Sequence, residues 1–302
     1  MLGQVAHATL YGQVRSLRFF EKFIGGSILI ANVKHRDAEA FIAHRLKSGS
    51  AIATANKDIR TLKRVFNLAI HRNYLDEGLN PFGKIKERKR SEKPIRYIDI
   101  LEYRALIEAS EKIWWKAFIS LAYGSGLRLE EILNLVWQDI DFENKLVLTN
   151  PKISADLLIE WEPKDHEIRT VPITEQSISF LTQMQVAACE GYPYIFISPQ
   201  RLKIIKMKEH NGEWKSTSTL NNIHRSFEII LKKADIQRCT IHDLRRSAIT
   251  NWARFLPIQV TQQFAGHSDI STTRKYYISV RPEDIAFASQ VINKIMEKAK
   301  LD

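Results

Sequence analysis

The chain has 302 residues, 44% of them hydrophobic, and carries a net charge of +11. That length holds two domains with real cores, the composition is that of a globular protein, and no run of eighteen apolar residues is present to span a membrane. Arg15, Arg18, Glu21 and Lys22 break up any apolar leader. Cys189 and Cys239, far apart and without metal or redox spacing, read as two unpaired thiols in a reducing cytoplasm.

The charge is unevenly placed. Residues 1–96 hold 19 Lys and Arg against 8 Asp and Glu, whereas residues 97–302 hold 26 of each, so the whole excess lies in the N-terminal third. A basic domain joined to a neutral one suggests that the first holds a polyanion while the second does something else. Residues 8–80 read as helices. Leu17, Phe20 and Ile24 recur at helical spacing, as do Ile59, Leu62, Phe66 and Ile70, with Lys57, Arg60 and Arg64 on the other side. Breakers from Gly78 to Gly83 close the block. The run from Lys84 to Pro94, which includes Lys86, Arg88, Lys89 and Arg90, is basic and without apolar periodicity, and reads as an interdomain linker suited to lie along phosphates.

A second block begins at Ile95. Helical patterns cover about 99–109, 112–123 and 127–137. Residues 145–149 and 157–161, with 168–173, are rich in β-branched residues and predict a small antiparallel sheet. Helices resume around 174–188, 217–234, 241–255, 257–265, 271–279 and 282–299, the last amphipathic through Ile285, Ala288, Val291, Ile292, Ile295 and Ala299. The predicted fold class is mainly α with a small antiparallel sheet.

Several positions have the chemistry to act on a phosphate. Arg128 follows Gly124-Ser125-Gly126-Leu127 and begins a helix, where free N–H groups and the positive dipole end suit an anion. Glu130 and Glu131 favour the same turn, and Glu131 is placed to orient a catalytic side chain. Thr240-Ile241-His242-Asp243 has the form of a capping box and puts His242 and Arg245 on one helix face. The arginine is a permanently charged fork for phosphate oxygens, and the histidine can relay a proton near neutral pH. Pro257 opens a short helix that Gly266 ends, leaving His267 on a turn. Tyr276 and Tyr277 are adjacent, so local pattern leaves both open as a nucleophile. Lys164 lies near the turn of a hairpin whose second arm is Arg169-Thr170-Val171-Pro172. Taken singly these features are common: a surface arginine, a chance His-x-x-Arg, an exposed hairpin lysine.

In their order and spacing, the residues Arg128, Lys164, His242, Arg245, Gly266-His267 and Tyr276 resemble the active-site set of the tyrosine recombinase (phage integrase) family. The resemblance runs over nearly the full chain and is to the compact two-domain Xer and Cre types, without room for the arm-binding domain of lambda-type integrases. It implies an all-α, SAM-like core-binding domain over 1–83, a basic linker over 84–94 and an α+β catalytic domain over 95–302. The family's spacing selects Tyr276 as nucleophile over Tyr277, with Glu131 in support. It also makes Lys57, Arg60, Arg64, Lys86, Arg88, Lys89 and Arg90 candidates for DNA contact. Two departures stand out: Arg246 and Ser247 replace the histidine and threonine common in relatives, and the stretch between Leu148 and Leu158 is longer than usual.

The activity so implied is site-specific DNA cleavage and rejoining through a 3′-phosphotyrosine, without metal, cofactor or ATP. A free phenol titrates near 10, so about one in a thousand is ionised at pH 7, a cost of roughly 4 kcal/mol. Arg128, Arg245 and His267 around the phosphate are expected to lower it. The implied partners are double-stranded DNA carrying recombination sites and, on synapsed DNA, three further copies of the chain linked by the C-terminal helix. Off DNA the expectation is a monomer or dimer. Accessory recombination factors and a cytoplasmic, nucleoid-associated location complete the picture. A type IB topoisomerase-like enzyme and a weakly catalytic DNA-binding accessory protein of the same fold remain alternatives. A metal-dependent transposase is disfavoured, since no carboxylate set is as ordered as the arginine–tyrosine one.

Overall fold

Ile59, Leu62 and Phe66 fall every three or four residues along α3 (Ile52–His71), so one stripe of that helix must find an apolar partner. It packs with α1 (His7–Ile24) and α2 (His35–Lys47) around Phe20, Phe41, Phe66 and Phe82. Phe20 meets Phe41 and Phe82 edge-on at 5.2 and 5.3 Å, the favoured arrangement for ring quadrupoles. The computed structural model describes residues 7–89, 96–153, 155–163, 168–214, 219–220 and 222–278. The chain divides near Lys93 into two compact units.

The first unit carries its charge on the faces its core leaves open. Lys57, Arg60 and Arg64 are exposed along α3, as are Lys86, Arg88 and Lys89 beyond it. Part of the expected linker is fastened down. Asn56 donates to the Arg88 carbonyl and accepts from the Arg88 N–H, both at 3.0 Å. Lys63 donates to the Gly83 carbonyl at 2.7 Å, and Arg60 pairs with Glu87 at 2.5 Å. The segment 83–88 therefore runs tied along α3 rather than as a free tether, because a buried asparagine amide satisfies both backbone polar groups of one residue. Arg90 lies outside the described residues.

The second unit stacks α4 (Ile100–Ala109), α5 (Ile113–Gly124), α7 (Glu175–Val186), α9 (Ile223–Ala234) and α10 (Ile241–Trp252) around a core that includes Leu106, Phe118, Leu121, Leu181, Phe227 and Leu244. Each such side chain, fully buried, contributes about 2 kcal/mol of transfer free energy. A three-stranded antiparallel sheet, β1 (Ile140–Asp141), β2 (Leu146–Thr149) and β3 (Arg169–Pro172), pairs Val147 with Val171 and Thr149 with Arg169. Helices α11 (Ile258–Ala265) and α12 (Ile270–Ile278) follow α10. Entry into the unit is stitched to α10: the Ile98 N–H donates to Ser247 Oγ at 2.8 Å and Tyr97 donates to Asn251 at 2.7 Å.

The mainly helical class with a small antiparallel sheet holds, but four elements differ from expectation. The single helix expected over 127–137 stops after α6 (Leu129–Leu133), because the Asp139 carboxylate captures the Val136 N–H at 2.8 Å and a 3₁₀ turn replaces the last helical turn. Residues 157–161 join no sheet. They fold back in isolated bridges, Lys152 to Trp161 and Ala155 to Leu158, pinned where the Ile159 N–H donates to Tyr194 Oη at 2.8 Å. Helix α8 (Pro199–His210) was not expected, although Ser198 caps it and Pro199 opens it. Helix α9 starts at Ile223 rather than near 217, after Asn222 in the left-handed region at φ 61°. The helix expected over 282–299 lies outside the described residues.

Candidate active site

Three arginines close on one buried carboxylate. Glu131, in the first turn of α6, accepts the Arg128 N–H at 2.6 Å and Arg128 Nη1 at 3.0 Å. Arg169, from β3, forks onto the same carboxylate with Nη1 to Oε1 at 2.9 Å and Nη2 to Oε2 at 2.5 Å. Arg245, from α10, stands with Nη1 at 3.9 Å from Oε2. Burial alone would push the Glu131 carboxyl up, but Arg169 and Arg245 outweigh it and hold it below its ordinary value. Helix α6 is only five residues long, and Glu131 itself occupies the Arg128 N–H, one of the donors at its start.

The same guanidiniums bind the end of α11. Gly266 closes that helix at φ +59°, which leaves its last carbonyls without helical partners. Arg169 Nε takes the Phe264 carbonyl at 3.0 Å, Arg245 Nη2 takes Ala265 at 2.5 Å and Arg128 Nη2 takes Gly266 at 2.6 Å. Arg245 Nη1 also donates to the Gly126 carbonyl at 2.6 Å. Cations at the negative end of a helix are favoured, so the arrangement orders both the arginines and the turn that follows. Burial pushes the Arg245 guanidinium down to about 10, which still leaves it charged at neutral pH.

That turn presents His267, half-buried, with Nδ1 at 2.9 Å from the hydroxyl of the buried Thr273. The His267 and Tyr276 rings stack at 6.1 Å with planes 19° apart. Tyr276 feels the charges of Arg246 and Arg245, and Arg246 Nη1 itself donates to Asp243 at 3.0 Å. Tyr277 points elsewhere. Its hydroxyl donates to the Leu256 carbonyl at 2.7 Å and lies 2.7 Å from the Thr261 hydroxyl, tying the ring to the packing of α12 on α11. His242 is exposed on the first turn of α10, and its pKa is lowered by the protein around it and then by Arg246 and Arg245. Asp243 anchors that turn, accepting from the Thr240 N–H and hydroxyl at 2.8 and 2.7 Å.

In the free protein the Tyr276 phenol lies above its ordinary pKa, because burial outweighs Arg246 and Arg245. The arginines do not pre-ionise it.

The structure thus gathers Arg128, Arg245, His267 and Tyr276 with Glu131, while His242 is exposed on the first turn of the helix that carries Arg245. Lys164 lies outside the described residues. The described lysine between β2 and β3, Lys152, is buried and bound to Asp139 at 2.8 Å. Two neighbours were not singled out from the sequence as site residues. Arg169 carries only the weak signal of an arginine on the inward side of a short strand. Arg246 stands out only as a departure from the family pattern. Among the described residues no three His, Cys, Asp or Glu side chains converge as a metal site, and no helix is long and apolar enough to cross a membrane.

Comparison with known proteins gives the family and the fold. The family model for the phage integrase family matches residues 96–283. A tyrosine recombinase XerC-like protein of Caldanaerobacter subterraneus is 26% identical, over 97% of this chain and 83% of its own length. The tyrosine recombinase XerA of Pyrococcus horikoshii is 26% identical, over 88% and 80%. Among solved structures, the Tn1549 transposon integrase in complex with transposon right end DNA superposes with a TM-score of 0.72, at 20% identity over 96% of this chain and 95% of that one. A lambda integrase dimer bound to a COC′ core site gives 0.68, at 15% identity over 91% and 73%. With the family model covering more than half of its length, the chain belongs to the phage integrase family of tyrosine recombinases.

Proposed function

We propose that this chain is a site-specific DNA recombinase that breaks and rejoins strands through a covalent 3′-phosphotyrosine on Tyr276. The observation that carries the reading is the single cluster in which Arg128 and Arg245 bind the end of α11 while Tyr276 stacks on His267 immediately beyond it. Tyr276 Oη attacks the scissile phosphorus, the bond to the 5′-oxygen breaks, and the phenol proton passes to a neighbouring base as the new bond forms. Because burial keeps the phenol protonated in the free protein, that transfer belongs to the attack itself, with His242 assisting. Arg128, Arg245 and His267 stabilise the charge that develops on the phosphate. Lys164 protonates the departing 5′-oxygen, a far stronger base than phenolate. The phosphotyrosine keeps the bond energy, so rejoining needs no ATP, and the arginines take the role a metal would otherwise fill.

The exposed Lys57, Arg60, Arg64, Lys86, Arg88 and Lys89, with Arg90, hold duplex DNA by its phosphates. Strand exchange between two sites takes place in a tetramer on synapsed DNA. The test is a nicked suicide duplex: wild type traps a protein–DNA adduct that resists EDTA, and Tyr276→Phe traps none. An adduct formed by Tyr276→Phe but lost in Tyr277→Phe would move the nucleophile. Relaxation of supercoils by a monomer, without exchange between paired sites, would favour the topoisomerase-like reading.

A further inference from the structure

We propose that Arg169 is a positioning residue of the cleavage site, keeping the charge of Arg128 and Arg245 directed at the scissile phosphate by answering Glu131 from behind. This role rests on the function proposed above. Arg169 is assigned no contact with DNA in this role, since all three of its guanidinium nitrogens already have protein acceptors. Its guanidinium is committed on three sides, with both Nη atoms on Glu131 and Nε on the Phe264 carbonyl. It also fills the space under the turn that carries His267, since a Cβ on Gly266 would come within 2.8 Å of Arg169 Nη1.

The charge arithmetic is simple. Arg128, Arg169 and Arg245 against Glu131 leave a net of two positive charges around the carboxylate. Without Arg169 the net is one, and Glu131 must be answered by the arginines the phosphate needs. Arg245 Nη1, at 3.9 Å, is close enough to be drawn in. Its charge and that of Tyr276 already influence each other. The groups facing the phenol are Arg245, Arg246 and Asp243 from α10 and His267 from the turn after α11, while α11 itself presents no titratable side chain. Arg274 and Lys275 share its own helix. Weakening Arg245 within that set makes the phenol harder to deprotonate. The backbone register, Thr149 opposite Arg169, also places this brace on the strand that follows Lys164.

The experiment is the single-turnover rate of adduct formation on the nicked duplex between about pH 6 and 9, with DNA affinity measured separately, for wild type, Arg169→Gln, Arg169→Lys and the double variant Arg169→Gln with Glu131→Gln. Arg169→Gln is expected to bind DNA like wild type, to cleave about tenfold more slowly at neutral pH, and to move the acid limb of the rate profile up by about half a unit. Arg169→Lys keeps the charge but not the fork, so it is slower with an unshifted limb, and the double variant, with its charge balance restored, returns the limb to its wild-type place. An Arg169→Gln rate and limb like wild type overturn the role. So does a slower rate with an unshifted limb, which marks a structural brace alone. If a melt shows Arg169→Gln unfolded, Arg169→Lys and the double variant decide, and a shifted limb in either overturns the proposal. A wild-type chain that forms no Tyr276 adduct overturns the function and this role together. A wild-type adduct indifferent to Arg169 overturns this role alone.

Discussion

Arg128 donates from Nη2 to the Gly266 carbonyl at 2.6 Å, joining the start of α6 to the end of α11 across 138 positions of chain. Gly266 holds φ +59° with Arg169 beneath it. Gly266→Ala is therefore strained twice, by the left-handed backbone and by the guanidinium. We expect a loss of about 1–3 kcal/mol in denaturant unfolding, together with a slower adduct rate. An alanine variant with an unchanged midpoint would count against the fit.

Tyr276 and Tyr277 separate by what their hydroxyls touch. Tyr277→Phe leaves the fully buried Thr261 without its partner, and we expect it to lose about 1–2 kcal/mol of stability while still trapping adduct. Tyr276→Phe is expected to keep the wild-type melt and trap none. Reversal of this pattern in parallel melts and gels would exchange their roles.

Glu131 is the electrostatic keystone of the second unit. Glu131→Gln leaves Arg169 and Arg245 buried with reduced compensation and is expected to cost about 3–5 kcal/mol. Because the folded pKa of Glu131 lies below its ordinary value of 4.5, its stabilisation is complete above that pH and is lost as pH falls through the depressed folded value. Wild type should therefore lose stability on acidification below about pH 4.5 more steeply than Glu131→Gln. Equal slopes in acid melts would contradict the pairing.

The Asn56 clasp makes a prediction for the first unit. Asn56→Ala removes both hydrogen bonds to the Arg88 peptide and is expected to cost about 2 kcal/mol and to speed amide exchange at Arg88. DNA affinity should fall with the loss of order in 83–88 while keeping its steep salt dependence. Unchanged exchange at Arg88 would show that the clasp does not hold in solution.

What the sequence revealed depended on how local the signal was. The Thr240–Asp243 cap and the Pro257-to-Gly266 helix were legible because their determinants lie within a few residues of the ends they set. Helix α8 was not, since Arg201, Lys203, Lys206 and Lys208 leave only Leu202 and Ile205 buried and no clear stripe. The break after α6 depends on Asp139, an acceptor beyond the helix it ends. The Arg169–Glu131 fork joins residues 38 apart on different elements, and nothing in either neighbourhood announces the other. Arg128, His267 and Tyr276 were legible only as members of a family spacing, because in its local sequence each alone reads as an ordinary surface residue.

The stitching of residues 96–98 onto α10 decides where the two units can be severed. Ser247 is fully buried and serves both the Ile98 N–H and the Asp243 carbonyl, and Asp243 in turn holds the turn that bears His242. A fragment beginning at Ile100 would start one residue past the Asp99 that caps α4 and would open a hole where Ile98 sits. The cut that spares the second unit lies upstream of Arg96 and downstream of Lys89, in a window of six residues.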